Sequence, residues 1–105
     1  MGRTNLSFGS VSVLHAIASG SRFGFDIMAA TGLTSGTVYP ALDRLEQLGL
    51  LRSHWEDEGA AHAEGRPARR YFRLTSAGVK ALEASLERYK ALRPVRIDPR
   101  TVENA

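Results

Sequence analysis

A small, mostly helical α+β domain is predicted from the sequence: three helices, a two-stranded hairpin and one closing helix. Three observations carry that expectation. Within residues 34–48, Val38, Ala41, Leu42, Leu45 and Leu48 recur at helical spacing, and Gly49 follows where a helix C-terminus is expected. A shorter apolar segment, residues 23–31, precedes this helix across the tight turn Gly32-Leu33-Thr34. Two alternating segments, residues 51–56 and 69–75, then bracket a loop of small and charged residues at 57–67, the pattern of a β-hairpin.

Composition bounds the rest. The chain has 105 residues, enough for one domain with a small core. Its 14 Lys+Arg against 11 Asp+Glu give a net charge of +3, which permits a nucleic-acid partner without requiring one. The absence of cysteine excludes disulfides and thiolate metal sites and fits a reducing compartment. No apolar run approaches the roughly 20 residues of a membrane span. Residues 1–5 lack the apolar centre of a secretory signal. The expectation is a cytoplasmic protein with no membrane partner.

Taken in order, residues 1–6 form a short polar arm carrying Arg3. Residues 8–19 read as a first helix, in which Val11, Val13, Leu14, Ile17 and Ala18 cover more than half the circumference. Such a helix has two surfaces to bury. Two readings stay open: a central helix within one domain, or one face for the core and one for a partner chain. Gly20-Ser21 breaks the pattern. The second helix offers Phe25 or Ile27, Met28 and Ala29 to the core, and Gly32 ends it. The third opens with Thr34 or Ser35 as cap. Opposite its apolar face stand Gly36, Pro40, Asp43 and Gln47, flanked by Thr37, Tyr39 and Arg44. Pro40 lacks an N–H, which is tolerable only near the first turn, so a slightly opened first turn is expected there.

In the hairpin, Leu51, Ser53 and Trp55 share one side of the first strand. Phe72 and Leu74 face away from Arg69, Tyr71 and Arg73 in the second. Three helices followed by such a hairpin make a winged helix-turn-helix. A last helix, capped by Thr75 or Ser76, is expected over 76–92, with Val79, Leu82, Leu86 and Tyr89 forming an a/d seam. Arg93-Pro94 ends it, and little order is expected in the tail. The expected organisation is therefore a DNA-binding domain over 1–75, a dimerisation helix over 76–92 and a flexible tail over 93–105.

Short polar side chains at the start of a helix are what base edges in a major groove require. Thr34, Ser35, Thr37, Tyr39 and Arg44 are the candidates on the third helix. Arg66, Arg69 and Arg70 are candidates for the phosphate backbone from the hairpin. Read blandly, both groups are ordinary solvated surface. The short seam of the last helix spans only two heptads, so the apolar first helix, through Leu14 and Ile17, is expected to complete an isologous dimer interface with Val79, Leu82, Leu86 and Tyr89. Trp55 and Tyr89 are the large aromatics that could line a ligand pocket. His15, His54 and His62 show no ligand spacing, so no metal and no cofactor is expected. Nothing in the sequence assembles a nucleophile with a base, so no catalytic residue is named. Apart from DNA binding, the same fold could serve as a protein–protein interaction module, with the third helix facing a protein.

Three blocks narrow the choice. Gly36-Thr37-Val38-Tyr39-Pro40, Leu42-Asp43-Arg44-Leu45-Glu46 with Gly49-Leu50-Leu51, and Arg69-Arg70-Tyr71-Phe72-Arg73-Leu74-Thr75-Ser76-Ala77-Gly78 occur in order and at compatible spacing. Together they resemble the PadR family of bacterial transcriptional regulators over about residues 8 to 92. The single C-terminal helix resembles the compact subfamily. The resemblance implies a homodimeric winged-helix repressor bound to double-stranded DNA and dimerised by its last helix. In drug-responsive compact members an aromatic on that helix lines a pore at the dimer interface. Tyr89 occupies the matching place, which implies a hydrophobic or aromatic small-molecule inducer.

Overall fold

The computed structural model describes residues 6–90, 92 and 94–103; Arg3 and the rest of residues 1–5 lie outside them, while Leu6, at the end of the expected polar arm, is buried. The elements follow the order α1 (Phe8–Ala18), α2 (Gly24–Thr31), α3 (Ser35–Gln47), β1 (Leu51–Trp55), α4 (Glu58–Ala63), β2 (Arg70–Leu74), α5 (Ser76–Arg88) and a 3₁₀ turn (Pro99–Thr101). This is the expected winged helix, with one added helix inside the wing.

Helix α1 is the centre. Ser7 caps it, its hydroxyl accepting from the Ser10 N–H at 3.1 Å. Val11, Val13, Leu14, Ile17 and Ala18 are all fully buried, and α2, α3, α5, β2 and the 3₁₀ turn pack around them. The two readings of this helix are thereby separated: both apolar surfaces are consumed within one chain. In α2 only Ile27 is a fully buried apolar side chain; Met28 is half-buried, and Phe25 and Ala29, expected to be available to the core, are exposed.

Helix α3 buries Val38, Ala41, Leu42 and Leu45 and runs uninterrupted through the exposed Pro40. Its end is a Schellman motif. Gly49 at φ 77° donates to the Glu46 carbonyl at 3.0 Å, and the Leu50 N–H donates to Leu45 at 3.0 Å. Leu48, expected on the apolar face, falls at the C-cap and is 42% exposed because the chain turns away there.

The hairpin is antiparallel, with Leu51 opposite Leu74, Ser53 opposite Phe72 and Trp55 opposite Arg70. Leu51, Phe72 and Leu74 enter the core. Residues 57–67 are not a plain loop. Asp57 caps α4 by accepting from the Ala60 N–H at 3.0 Å, and Ala61 is buried beneath it. Alanines at 60, 61 and 63, together with the Asp57 cap, favour that short helix over extended chain.

Helix α5 ends at Arg88, a turn earlier than expected. At its start Gly78 approaches the α3–β1 turn so closely that a Cβ would stand 2.1 Å from the Leu50 carbonyl oxygen. The tail also departs from expectation. The Asp98 N–H donates to Ala18 at 2.7 Å, Thr101 is fully buried, and the Glu103 N–H donates to Leu74 at 2.8 Å beside a parallel bridge between Leu74 and Val102. These contacts close the outer edge of β2 and cover part of the second apolar surface of α1. Proline and charge content concealed this order, because backbone donors and Val95, Ile97 and Thr101 supply it.

Candidate nucleic-acid interface

The outer side of α3 presents Thr34, Ser35, Gly36, Thr37, Pro40, Asp43, Arg44 and Gln47 to solvent. At 100° per residue Gly36, Pro40, Asp43 and Gln47 point opposite Val38 and Leu45 with Thr37 and Arg44 beside them, while Thr34 and Ser35 are exposed because they begin the first turn. Thr34 is the N-cap, but no backbone N–H binds its hydroxyl, which lies 3.5 Å from the Thr37 hydroxyl instead. Both hydroxyls are exposed and remain available to an outside partner.

The two flanks of this helix differ. Toward α1, Thr37 and Arg44 border a 200 Å³ recess together with Ser7 and Ser10. Arg44 has no carboxylate partner among the described residues. Toward the wing, Tyr39 lies over Gly24, where no side chain intervenes, and is 48% exposed. Beyond it Arg70 of β2 reaches across to α3. Its guanidinium donates to Glu46, to Asp43 at 3.4 Å and to the Ser53 hydroxyl at 3.0 Å. Ser53 in turn donates to Glu46 at 2.8 Å.

Arg66 is also turned inward. It makes a two-pronged ion pair with Glu56, one prong at 2.8 Å. The Arg66 guanidinium holds the Glu56 carboxyl down to about 2, and Glu56 in turn raises Arg66. Two of the three arginines expected to meet a phosphate backbone are thus already paired within the chain. Of the three, only Arg69 lacks a carboxylate partner among the described residues, and its guanidinium stacks 4.2 Å from the centre of the Phe23 ring. The partners Glu46, Ser53 and Glu56 were not singled out in the sequence. Only the strand register, which places Arg70 beside α3, reveals them. Asp43 and Gln47 are exposed on the same outer face, Asp43 within reach of Arg70 at 3.4 Å.

The expected dimerisation residues divide as well. Leu14, Ile17 and Leu82 are fully buried in the chain's own core, so they offer a partner no surface. Val79, Leu86 and Tyr89 are half-buried. The Tyr89 hydroxyl donates to the Leu6 carbonyl at 2.9 Å and its ring meets Phe8 edge-on at 5.4 Å. Trp55 is 67% exposed at the wing and lines a cleft with α2 and α3. Tyr89 is not in that lining, so one chain does not bring the two aromatics together. His15, His54 and His62 sit on α1, β1 and α4, and no trio of His, Asp or Glu among the described residues is grouped as a metal site.

The model of the transcriptional regulator PadR-like family matches residues 13–84, spanning the core helices, the wing and most of α5. The chain belongs to this family. A PadR family transcription regulator from hypervirulent Clostridium difficile R20291 superposes with a TM-score of 0.68 at 22% identity, covering 81% of this chain and 90% of that one. A PadR family transcriptional regulator from Eggerthella lenta DSM 2243 gives 0.61 at 23% identity, over 77% of this chain and 71% of that one. A MarR family regulator from Silicibacter pomeroyi gives 0.63 at 22% identity, over 82% of this chain and 53% of that one. The fold alone thus spans two regulator families, and the sequence blocks decide between them. No curated protein matches the chain. As a PadR-like protein the chain is a transcriptional regulator and not an enzyme. No described helix is long and apolar enough to cross a membrane.

Proposed function

We propose that this PadR-like regulator is a cytoplasmic repressor that binds an inverted-repeat operator as a homodimer and is released by a hydrophobic or aromatic small molecule. The observation that carries the DNA part is the outer side of α3. Thr34, Ser35, Thr37 and Arg44 stand exposed together, with a guanidinium that no carboxylate neutralises among the described residues. These are groups that meet base edges and phosphates. A two-fold dimer would present two such helices to half-sites about one or two DNA turns apart.

For the dimer, the remaining surface lies at the far end of α5. Leu86 borders a 500 Å³ groove with Leu92, Val95 and Ile97. The test is gel-shift binding to the DNA upstream of the gene. Affinity should fall steeply with salt, and sedimentation at micromolar concentration should give a dimer. Leu86→Glu should yield a folded monomer with lost operator affinity, because an unpaired charge in an interface costs on the order of several kcal/mol. A wild-type monomer, or a dimeric Leu86→Glu variant, would overturn the dimer assignment. Binding indifferent to salt and sequence would overturn the operator assignment.

A further inference from the structure

The hairpin has two faces, and the fold uses only one. Leu51, Phe72 and Leu74 turn into the core, and on the same side Ser53 and Arg70 bind Glu46 of α3. Strand alternation puts Arg52, His54, Tyr71 and Arg73 on the other face, turned away from the third helix. There Arg52 stands directly opposite Arg73, and His54 directly opposite Tyr71.

Two cations in direct cross-strand register destabilise a hairpin, so folding does not account for them. Arg52 is relieved by Glu103 at 3.4 Å. Arg73 is not: no carboxylate meets it among the described residues, and its Nε is buried without a partner. Arg22 is in the same position, with an unpartnered Nε and its guanidinium 5.1 Å from the centre of the Tyr71 ring. Asp98 feels the Arg22 charge but is itself closed on Arg100 at 2.7 Å. An isolated bridge between Phe23 and Tyr71 extends the face at its edge. The Phe23 ring meets Tyr71 edge-on at 5.8 Å and carries the Arg69 guanidinium 4.2 Å from its centre. On the other side of Tyr71 lies the exposed His54 ring, 5.7 Å away. Cations and rings thus alternate along a face that runs about 14 Å from Arg69 to Arg73.

This alternation selects the occupant. Three guanidinium groups without a carboxylate partner call for a polyanion. An acidic peptide would use the cations and leave the rings idle. A duplex keeps its bases stacked inside and gives the rings nothing to hold. A single strand brings phosphate and base by turns, and so uses both.

We propose that the outer face of the hairpin is a second nucleic-acid surface, which holds a single strand by its phosphates on Arg22, Arg69 and Arg73 and stacks its bases against His54 and Tyr71. The surface goes beyond the operator reading and does not depend on it, because it leaves the outer side of α3 free.

The test is fluorescence anisotropy of a labelled oligothymidylate of about twelve nucleotides, within the site sizes of single-strand platforms, titrated with the whole protein. Binding should saturate and should weaken with salt at a slope of about −2, roughly 0.7 for each of three phosphates neutralised. Arg69→Gln and Arg73→Gln should each weaken binding about fivefold and reduce the slope by about 0.7. His54→Ala, at an exposed position, should weaken binding about fivefold or more at unchanged slope, and His54→Phe should restore it. Thr37→Ala and Arg44→Ala, on the third helix, should leave it unchanged, which separates this surface from the operator reader. The proposal is overturned if the oligothymidylate fails to bind at low salt, or if polyglutamate displaces it at equal charge concentration. It is overturned equally if Arg44→Ala abolishes binding, or if His54→Ala weakens an unrelated duplex by the same factor.

Discussion

The two flanks of α3 carry similar charge and opposite wiring. Toward α1, Arg44 stands open beside Thr37 and the Ser7–Ser10 cap. Toward the wing, Arg70 is closed on carboxylates of α3 and Arg66 on Glu56 of the wing itself. A count of arginines would rank the wing as the stronger phosphate binder. The geometry ranks it the other way, because a cation already paired releases little when it meets DNA. The wing arginines act first as struts: Arg70 ties β2 to α3, and Arg66 closes the base of the α4 insertion.

The largest effect should come from the open flank. Thr37→Ala and Arg44→Ala remove groups that touch nothing essential to the fold, so thermal stability should hold while operator affinity falls. A base-edge contact is worth roughly 1–3 kcal/mol, about a fivefold to 150-fold loss. If Arg44 meets a phosphate instead, affinity falls for all sequences and the salt slope drops by about 1. Unchanged operator binding in both variants would show that the third helix is not the reader.

Arg70→Ala should behave differently. It releases Glu46 and Asp43 from their shared partner on groups that are about one-third to two-thirds exposed. Solvent screening limits the stability cost to at most about 1 kcal/mol, a shift of roughly 4–8 °C in Tm. Operator affinity should fall several-fold, because the wing loses its fixed angle and two carboxylates face the DNA. The salt slope should stay near that of the wild type. A slope lowered by about 1 in this variant would place Arg70 on a phosphate and erase the contrast between the flanks.

This contrast also marks what was legible in the sequence. The apolar faces of α1 and α3, the Gly49 stop and the alternation of Leu51, Phe72 and Leu74 are local periodic signals, and each led to the correct element. The outer residues of α3 follow from the same periodicity. The contacts without a local signal depend on tertiary register. Arg70 finds Glu46 only because β2 lies next to β1 and α3, 24 residues away in sequence. Leu82 and Leu86 share a seam, yet one is fully buried in its own core and the other is half-buried beside the groove it lines with Leu92, Val95 and Ile97. The order of the tail is invisible in composition because it comes from backbone donors meeting the Ala18 and Leu74 carbonyls.

The smallest effect, and the sharpest probe of the comparison, concerns Glu56. Its carboxyl is held at about 2 by hydrogen bonding to Arg66, with further support from the Arg69 N–H at 3.2 Å. A carboxyl whose folded pKa lies below its ordinary 4.5 stabilises the fold fully above that value. That contribution is lost as pH falls from 4.5 toward 2. Acidification across this window should therefore shift the amide signals of α4 and its flanks before those of α1. Glu56→Gln should reproduce the same local shifts at neutral pH and flatten their acid dependence. With its partner's charge gone, Arg66 in this variant becomes a free cation at the wing. If the wing is a strut, DNA affinity should change by less than about threefold and the salt slope should hold. If affinity instead rises and the slope steepens by about 1, Arg66 can reach a phosphate once released. The wing would then be a clamp restrained by its own carboxylate, and the difference between the flanks would be one of partners rather than of position.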